Sequence, residues 1–421
     1  MRRARGPWAV TAAIALGALG AAGACTEGLT IEPGTGDPST DGSVGEPASD
    51  AAKSEDSDLA SGDSGSDADA PVDCDGGTVA CGGVCVDTQT DSKNCGACEH
   101  DCLGAACDDG LCKEELVSPA GTATAVDVTG GVVYWTEQGT NNAVRKCPTT
   151  GCATLPAALA TPTNPKGIAV PEGANAIFYA DNQYGSIVYK MGLDGASPTG
   201  WTGTTSNGAG LVASGTEIYW GSTAGLYRTA FAASGATIVM SGNLSGTVEN
   251  GPHTVAVDDK NVYAAPEGTP LRACPLGTDC STSGGTVIAN EPSVPSHSGV
   301  GGIASDGTHV FYTGGKRSSS GVEDQERLVR CPVAGCAAGE PEVLWSRQTT
   351  TNTGSHVGIT LDEHNVYWGT VYGSIYTTAK NCVAPCTARE IVSDAKPWGM
   401  KIDGPYLYWA DRRGGIYRVV R

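Results

Sequence analysis

Seven doublets mark the chain at near-regular intervals: Tyr134-Trp135, Phe178-Tyr179, Tyr219-Trp220, Tyr263-Ala264, Phe311-Tyr312, Tyr367-Trp368 and Tyr408-Trp409. Successive doublets lie 44, 41, 44, 48, 56 and 41 residues apart. A strand of small apolar residues and a tight turn precede each doublet; a loop and a strand mixing apolar and basic residues follow it. Each unit reads as one small sheet that can bury its faces only against its neighbours, which is the pattern of a propeller. No segment of this region has the period of an amphipathic helix. The expected fold is all-β, a seven-bladed β-propeller over residues 114–421.

Alignment on the doublets exposes the innermost strand. One column reads Val126, Ile168, Leu211, Val255, Ile303, Ile359 and Met400, apolar throughout, and should pack between blades. The column before it reads Ala125, Gly167, Gly210, Thr254, Gly302, Gly358 and Gly399. Glycine there suits strands that converge on a channel, where backbones approach closely. Third strands carry Leu226-Tyr-Arg228, Leu328-Val-Arg330 and Ile416-Tyr-Arg418, and Glu390-Ile-Val-Ser393 exemplifies a fourth. The seventh repeat stops after its third strand, whereas Glu114-Glu-Leu-Val-Ser118 matches a fourth and should close the ring. Closure would also bring Asp127 and Lys401, equivalent positions in the first and last repeats, side by side.

Tyr134-Trp-Thr-Glu137 and Tyr408-Trp-Ala-Asp411, the latter followed by Gly-Gly-Ile-Tyr-Arg418, resemble the YWTD β-propellers of low-density-lipoprotein receptors. Only Glu137, Asp181 and Asp411 keep the acid after the doublet, and seven repeats exceed the six usual in that family. The resemblance implies an extracellular protein-binding platform.

The other end of the chain reads as an export signal. Arg2, Arg3 and Arg5 precede an uncharged run from Trp8 to Gly23, too short to span a bilayer, which needs roughly 20 residues. Ala22-Gly23-Ala24-Cys25 resembles a bacterial lipobox with Ala22 in place of the usual Leu, and also fits ordinary signal peptidase. The lipobox reading makes residues 1–24 a signal peptide and Cys25 the acylated N-terminus. Thr26, rather than Asp, after the cysteine resembles sorting to the outer membrane or cell surface. Residues 25–73 are Ser-, Gly-, Asp-, Ala- and Pro-rich, and are expected to form a disordered acidic tether. With a net charge of −20, nothing here could neutralise phosphates, which excludes nucleic acid as a partner.

There are 17 cysteines, an odd number that acylation of Cys25 accounts for. Eight of the others, Cys74, Cys81, Cys85, Cys95, Cys98, Cys102, Cys107 and Cys112, crowd a small module over residues 74–113. Such a segment has almost no core, and in an oxidising compartment four disulfides would hold it. Zinc at Cys95-Gly-Ala-Cys98 with His100 nearby is the alternative. Eight cysteines allow 105 pairings, so the connectivity is open. The order Cys81-Gly-Gly-Val-Cys85-Val-Asp87, Asp91-Ser-Lys-Asn94-Cys95-Gly96-Ala-Cys98, Cys102, Cys107 and Gly110-Leu-Cys112 resembles the stigma-specific cysteine-rich family of plants. That likeness implies an extracellular adhesion or signalling module and no catalytic chemistry. Module, tether and propeller together resemble myxobacterial-type surface lipoproteins. The remaining cysteines form local pairs, Cys147/Cys152, Cys274/Cys280, Cys331/Cys336 and Cys382/Cys386, placed to staple the turn from third to fourth strand.

No His-Glu-x-x-His, Gly-x-Ser-x-Gly, phosphate loop or calcium loop is present, so no cofactor, metal or catalytic residue is assigned. In a propeller the loops before the inner strands and after the doublets exit on one face, and here they are the long, varied ones. Lys166, His253, His356 and Trp398 stand at the entrances of inner strands; Asp181, Tyr184, Tyr372, Arg412 and Arg413 follow doublets. These nine are the candidate binding face. The expected function is a non-catalytic, lipid-anchored, monomeric surface protein that binds an extracellular protein or glycan. The alternatives are a propeller hydrolase or lyase with a metal at the channel mouth, for which His253 and His356 are the candidate pair, and a structural spacer.

Overall fold

The computed structural model describes residues 73–140, 142–181, 187–201, 209–222, 224–233, 235–242, 255–265, 270–290, 300–317, 324–336, 341–349, 358–370 and 373–421. Among these residues there is no helix, and none, therefore, long and apolar enough to cross a membrane. Seven antiparallel sheets form seven blades. Each begins on an inner strand: Thr122–Thr129, Pro165–Ala169, Ala209–Ser214, Val255–Val257, Val300–Ser305, Ile359–Leu361 and Pro397–Asp403. Blades 2 to 6 are four strands in chain order. Blade 1 has three, with the single bridge Val144–Ala160 in the fourth place. Blade 7 takes its outer strand from the other end of the propeller: Glu115–Ser118 pairs with Ile416–Val420, Tyr417 opposite Leu116. The ring closes by strand exchange, and Lys401 Nζ meets Asp127 Oδ1 at 3.0 Å across the seam.

The doublets work because successive strand residues point to opposite faces. The first member of each faces the next blade and the second faces the previous one. Seven separate apolar clusters result, one per blade interface. Tyr408, Trp135 and Val126 meet between blades 7 and 1; Phe178, Trp220 and Leu211 between blades 2 and 3; Tyr367, Trp409 and Met400 between blades 6 and 7. Fully burying such a ring contributes about 1.5–3 kcal/mol, and Ala264, which stands in an aromatic's place between blades 3 and 4, forgoes that contribution there.

The glycine column has a specific cause. In blades 1, 2, 3, 5 and 7 the pairing of inner with second strand slips at or beside this column, a β-bulge. The bulged backbone lies against the next inner strand: a Cβ at Gly167 would sit 3.1 Å from Leu211 Cβ, and one at Gly399 would sit 3.0 Å from Ala125 Cα.

Basic residues of the third strands tie five of the blades to the next. Lys146, Lys190, Arg228, Arg330 and Arg418 all lie directly opposite the first residue of a doublet. They donate to carbonyls in the following blade: Leu193 (2.7 Å), Phe231 (2.6 Å), Gly277 (3.1 Å), Cys382 (3.2 Å) and Thr149 (2.8 Å). The four local cysteine pairs are disulfides. Each folds its loop so that the second cysteine donates its N–H to the outer strand of the preceding blade: Cys152 to Val117, Cys280 to Val239, Cys336 to Ile288 and Cys386 to Leu344, at 2.7–2.9 Å. The staples therefore bind blade to blade as well as strand to strand.

The cysteine-rich module pairs Cys74–Cys85, Cys81–Cys98, Cys95–Cys107 and Cys102–Cys112. Cys95 and Cys98 go to different disulfides, which removes the zinc alternative. The module is not free-standing: Cys95, Cys102 and Cys112 are buried with Ile391 and Val392 of blade 6 and Val419 and Val420 of blade 7.

Candidate functional site

The inner strands surround a channel cavity of about 870 Å³. Its walls run from Ala125 and Gly399 to the turns at Gly130, Glu172, Gly215 and Asp403, so it opens toward the turns between inner and second strands. Inside it Asp127 joins three blades, pairing with Lys401 of blade 7 and accepting from Val170 N of blade 2 at 2.7 Å. Asp127 raises the Lys401 pKa, outweighing the opposing effect of burial.

Three aspartates around this mouth are committed to the turns. Asp258 accepts from Lys260 N, Asn261 N, Tyr263 Oη and Ser305 Oγ. Asp362 accepts from His364 N, Asn365 N and Tyr367 Oη, and pairs with Arg421. Asp306 caps Thr308 and His309, and where its blade has Phe311 in place of a tyrosine, Lys380 takes the hydroxyl's part at 3.4 Å. Burial alone would raise the Asp306 pKa, but the Thr308 and His309 hydrogen bonds and Lys380 hold it down at about 2. The same balance lowers Asp258 and Asp362. No motif singles these residues out, but all three stand three positions after the apolar column, a register visible in the sequence.

At the opposite mouth, three of the nine candidates come together. Trp398 is 6% exposed and Lys166 7% exposed, two positions before the apolar column in blades 7 and 2. Lys166 Nζ lies 5.7 Å from the indole centroid and the exposed Arg412 guanidinium 4.3 Å from it, both in cation–π range. The indole is thus buried beside two cations, and of the three side chains Arg412 is the one that presents its charge to solvent.

Two other candidates do structural work. Asp181 is 5% exposed and accepts from Thr163 N (2.9 Å) and Asn164 N (2.7 Å), fixing the segment that leads into Lys166. Asp411 and Glu137 do the same in blades 7 and 1, accepting from Lys396 N and Gly121 N and from the indoles of Trp409 and Trp135. This explains the acid after the doublet in these three repeats. Glu137 also forms a buried pair with Arg145 at 2.6 Å. Arg413 pairs with Asp411 (2.8 Å), Asp394 (3.1 Å) and Glu114 (3.9 Å); the bond to Asp411 raises its pKa despite partial burial. It clamps the seam. Tyr184, His253, His356 and Tyr372 lie outside the described residues, as do Cys25 and the tether.

In the module, the residues that carry its family pattern build turns. Asp87 accepts from Gln89 N and Thr90 Oγ1; Asp91 accepts from Lys93 N; Asn94 accepts from Glu99 N. Gly96 has φ +73°, and a Cβ there would meet Gly110 O at 2.5 Å. Among the described residues Cys95, Cys102 and Cys112 are the one grouping close enough to hold a metal, and all three sulfurs are in disulfides.

Residues 45–115 match the stigma-specific STIG1-like protein family. The described part of that match, 73–115, is the module with its four disulfides. The ring is similar to the WD40 β-propeller domain of Doa1, with 12% identity and a TM-score of 0.51 over 73% of this chain and 97% of that one. It is also similar to the computationally designed Ika8 protein, with 9% identity and a TM-score of 0.46 over 73% of this chain and 100% of that one. At 12% identity the likeness to the Doa1 domain shows the fold alone. No curated protein matches the sequence. Eight disulfides are those of an extracellular or secreted protein.

Proposed function

We propose that the chain is a non-catalytic surface lipoprotein that binds an extracellular protein or glycan at the channel mouth carrying Trp398. The observation that carries this reading is the contrast between the two mouths. Around one, the aspartates are consumed in turns and the outer loops are stapled. At the other, long varied loops lead into strands that bear Lys166 and Trp398, with Arg412 exposed over the indole. Acylation at Cys25 and the acidic segment after it would hold the ring away from an outer-membrane surface.

The test uses the mature chain and its Cys25→Ser form. The Cys25→Ser protein should move from the membrane fraction to the soluble fraction; continued membrane retention would remove the anchor from this reading. The soluble protein should retain surface polysaccharide or surface protein from the producing cells, and Arg412→Ala should weaken retention at least tenfold. Retention unchanged by Arg412→Ala, or none at all, would overturn the assignment of this mouth.

A further inference from the structure

Six of the seven blade interfaces are crossed by a third-strand cation, a stapled loop or both. Among the described residues neither is present between blades 6 and 7, where Arg421, just past the third strand of blade 7, instead pairs back with Asp362 of blade 6. Thr377 stands opposite Tyr367 where five other blades have Lys or Arg. Blade 7 has no loop from third to outer strand, because its outer strand comes from residues 115–118. The module's disulfides lie at this gap. At the stapled interfaces the staple sulfurs pack on an outer-strand residue of the preceding blade: Cys147 and Cys152 with Val117, Cys274 and Cys280 with Val239, Cys331 and Cys336 with Ile288, Cys382 and Cys386 with Leu344. The equivalent residue of blade 6 is Ile391, and Cys95, Cys102 and Cys112 pack in its cluster. Gly96 comes close to Arg389 of the same outer strand.

We infer that the inner half of the cysteine-rich module is the missing staple of the propeller, a latch that holds the ring's closing strand in place. Cys112 precedes Glu115–Ser118 by a two-residue link, so the latch and the closing strand are one continuous segment. Glu115–Arg418 (2.6 Å) and Glu114–Arg413 (3.9 Å) fix its far side to blade 7. The module is divided in exposure. Cys95, Cys102 and Cys112 are 0%, 1% and 5% exposed, whereas Cys85 and Cys98 are exposed and Val84 of the outer hairpin is 63% exposed. Cys74–Cys85 and Cys81–Cys98 belong to the outward half, which is left available on the surface; Cys102–Cys112 belongs to the ring.

The closure is therefore open to reduction in two stages. A dithiol reductant attacks a disulfide sulfur, forms a mixed disulfide and is displaced as its own cyclic disulfide, leaving two protein thiols. The exposed outer pair should yield first and leave the ring intact. Reduction of Cys102–Cys112 should then free the closing strand.

Hydrogen exchange of the full chain tests this. In a Cys102→Ser/Cys112→Ser variant, exchange should rise at least tenfold in Glu115–Ser118, Ile416–Val420 and Arg389–Ser393. It should stay unchanged in blades 3 and 4. Cys74→Ser/Cys85→Ser should leave all of these strands unchanged. Ala105→Arg, which disrupts packing on the propeller while keeping every disulfide, should reproduce the first pattern. Should the double variant not fold, graded reduction of the natural chain with peptide-level exchange gives the same comparison. Unchanged protection of the three strands after loss of Cys102–Cys112 or of docking would overturn the latch. So would equal loosening on loss of Cys74–Cys85.

Discussion

The arc from blade 1 to blade 3 and the arc from blade 3 to blade 6 solve the same joining problem with different chemistry. In the first, Lys146 and Lys190 reach carbonyls of the next blade and no disulfide takes part. A tilted ring contact across the joint adds to it, Phe178 with Phe231 at 5.3 Å. In the second, each incoming loop is stapled and its cysteine N–H caps the preceding outer strand. A lysine contact can break and re-form singly, whereas a stapled loop has little freedom left in either state. The stapled arc should thus owe part of its stability to restriction of the unfolded chain, and the lysine arc to contacts in the folded one.

The largest effect should come from the seam, which belongs to neither arc. Val117→Asp buries a carboxylate at a 2% exposed position of the closing strand and should cost about 4 kcal/mol or more in urea unfolding. Its exchange pattern should loosen blades 7 and 1 together. Glu137→Gln leaves Arg145 buried without its charge partner and should cost about 3 kcal/mol. That loss should appear in blade 1 and spare the stapled arc.

Removing one staple with Cys274→Ser/Cys280→Ser should cost about 2 kcal/mol, the expectation for so short a loop. A loss near zero would mean that the staple acts only by aiming the Cys280 N–H. Asp306 links the stapled loop of blade 6 to the turn of blade 5 through Lys380. Its pKa is depressed from 3.8 to about 2, so its contribution is complete above pH 4 and disappears as pH falls toward 2. Asp306→Asn should cost at most about 2 kcal/mol at pH 7, with the gap from the natural protein closing over that window. The smallest effect belongs to Lys190→Met, about 1 kcal/mol by thermal unfolding and confined to blades 2 and 3. A loss equal to that of the staple would erase the contrast between the arcs.

Much of the ring is legible in the sequence because strand alternation turns a doublet into two opposed contacts, and because bulges and close approach demand glycine. The closing strand and the Asp127–Lys401 pair follow from the same alignment. Other features depend on directions that periodicity does not encode. Asp181, at the end of a strand, and Arg413, in the loop after one, stand at the right face, yet their side chains turn inward, one to backbone N–H groups and the other to acids at residues 114, 394 and 411. The docking of the module is likewise invisible locally. Ile391 and Cys112 become neighbours only once the ring has closed, and no pattern within either segment announces the other.

The order of the module's disulfides has a mechanical meaning. Their loops overlap in succession, so a covalent path runs from Cys74 to Cys85, back to Cys81, across to Cys98, back to Cys95, across to Cys107, back to Cys102 and across to Cys112. A pull applied at Cys74 cannot draw out the intervening polypeptide as slack. Tension passes along the cross-links and arrives at the strand that completes the seventh blade.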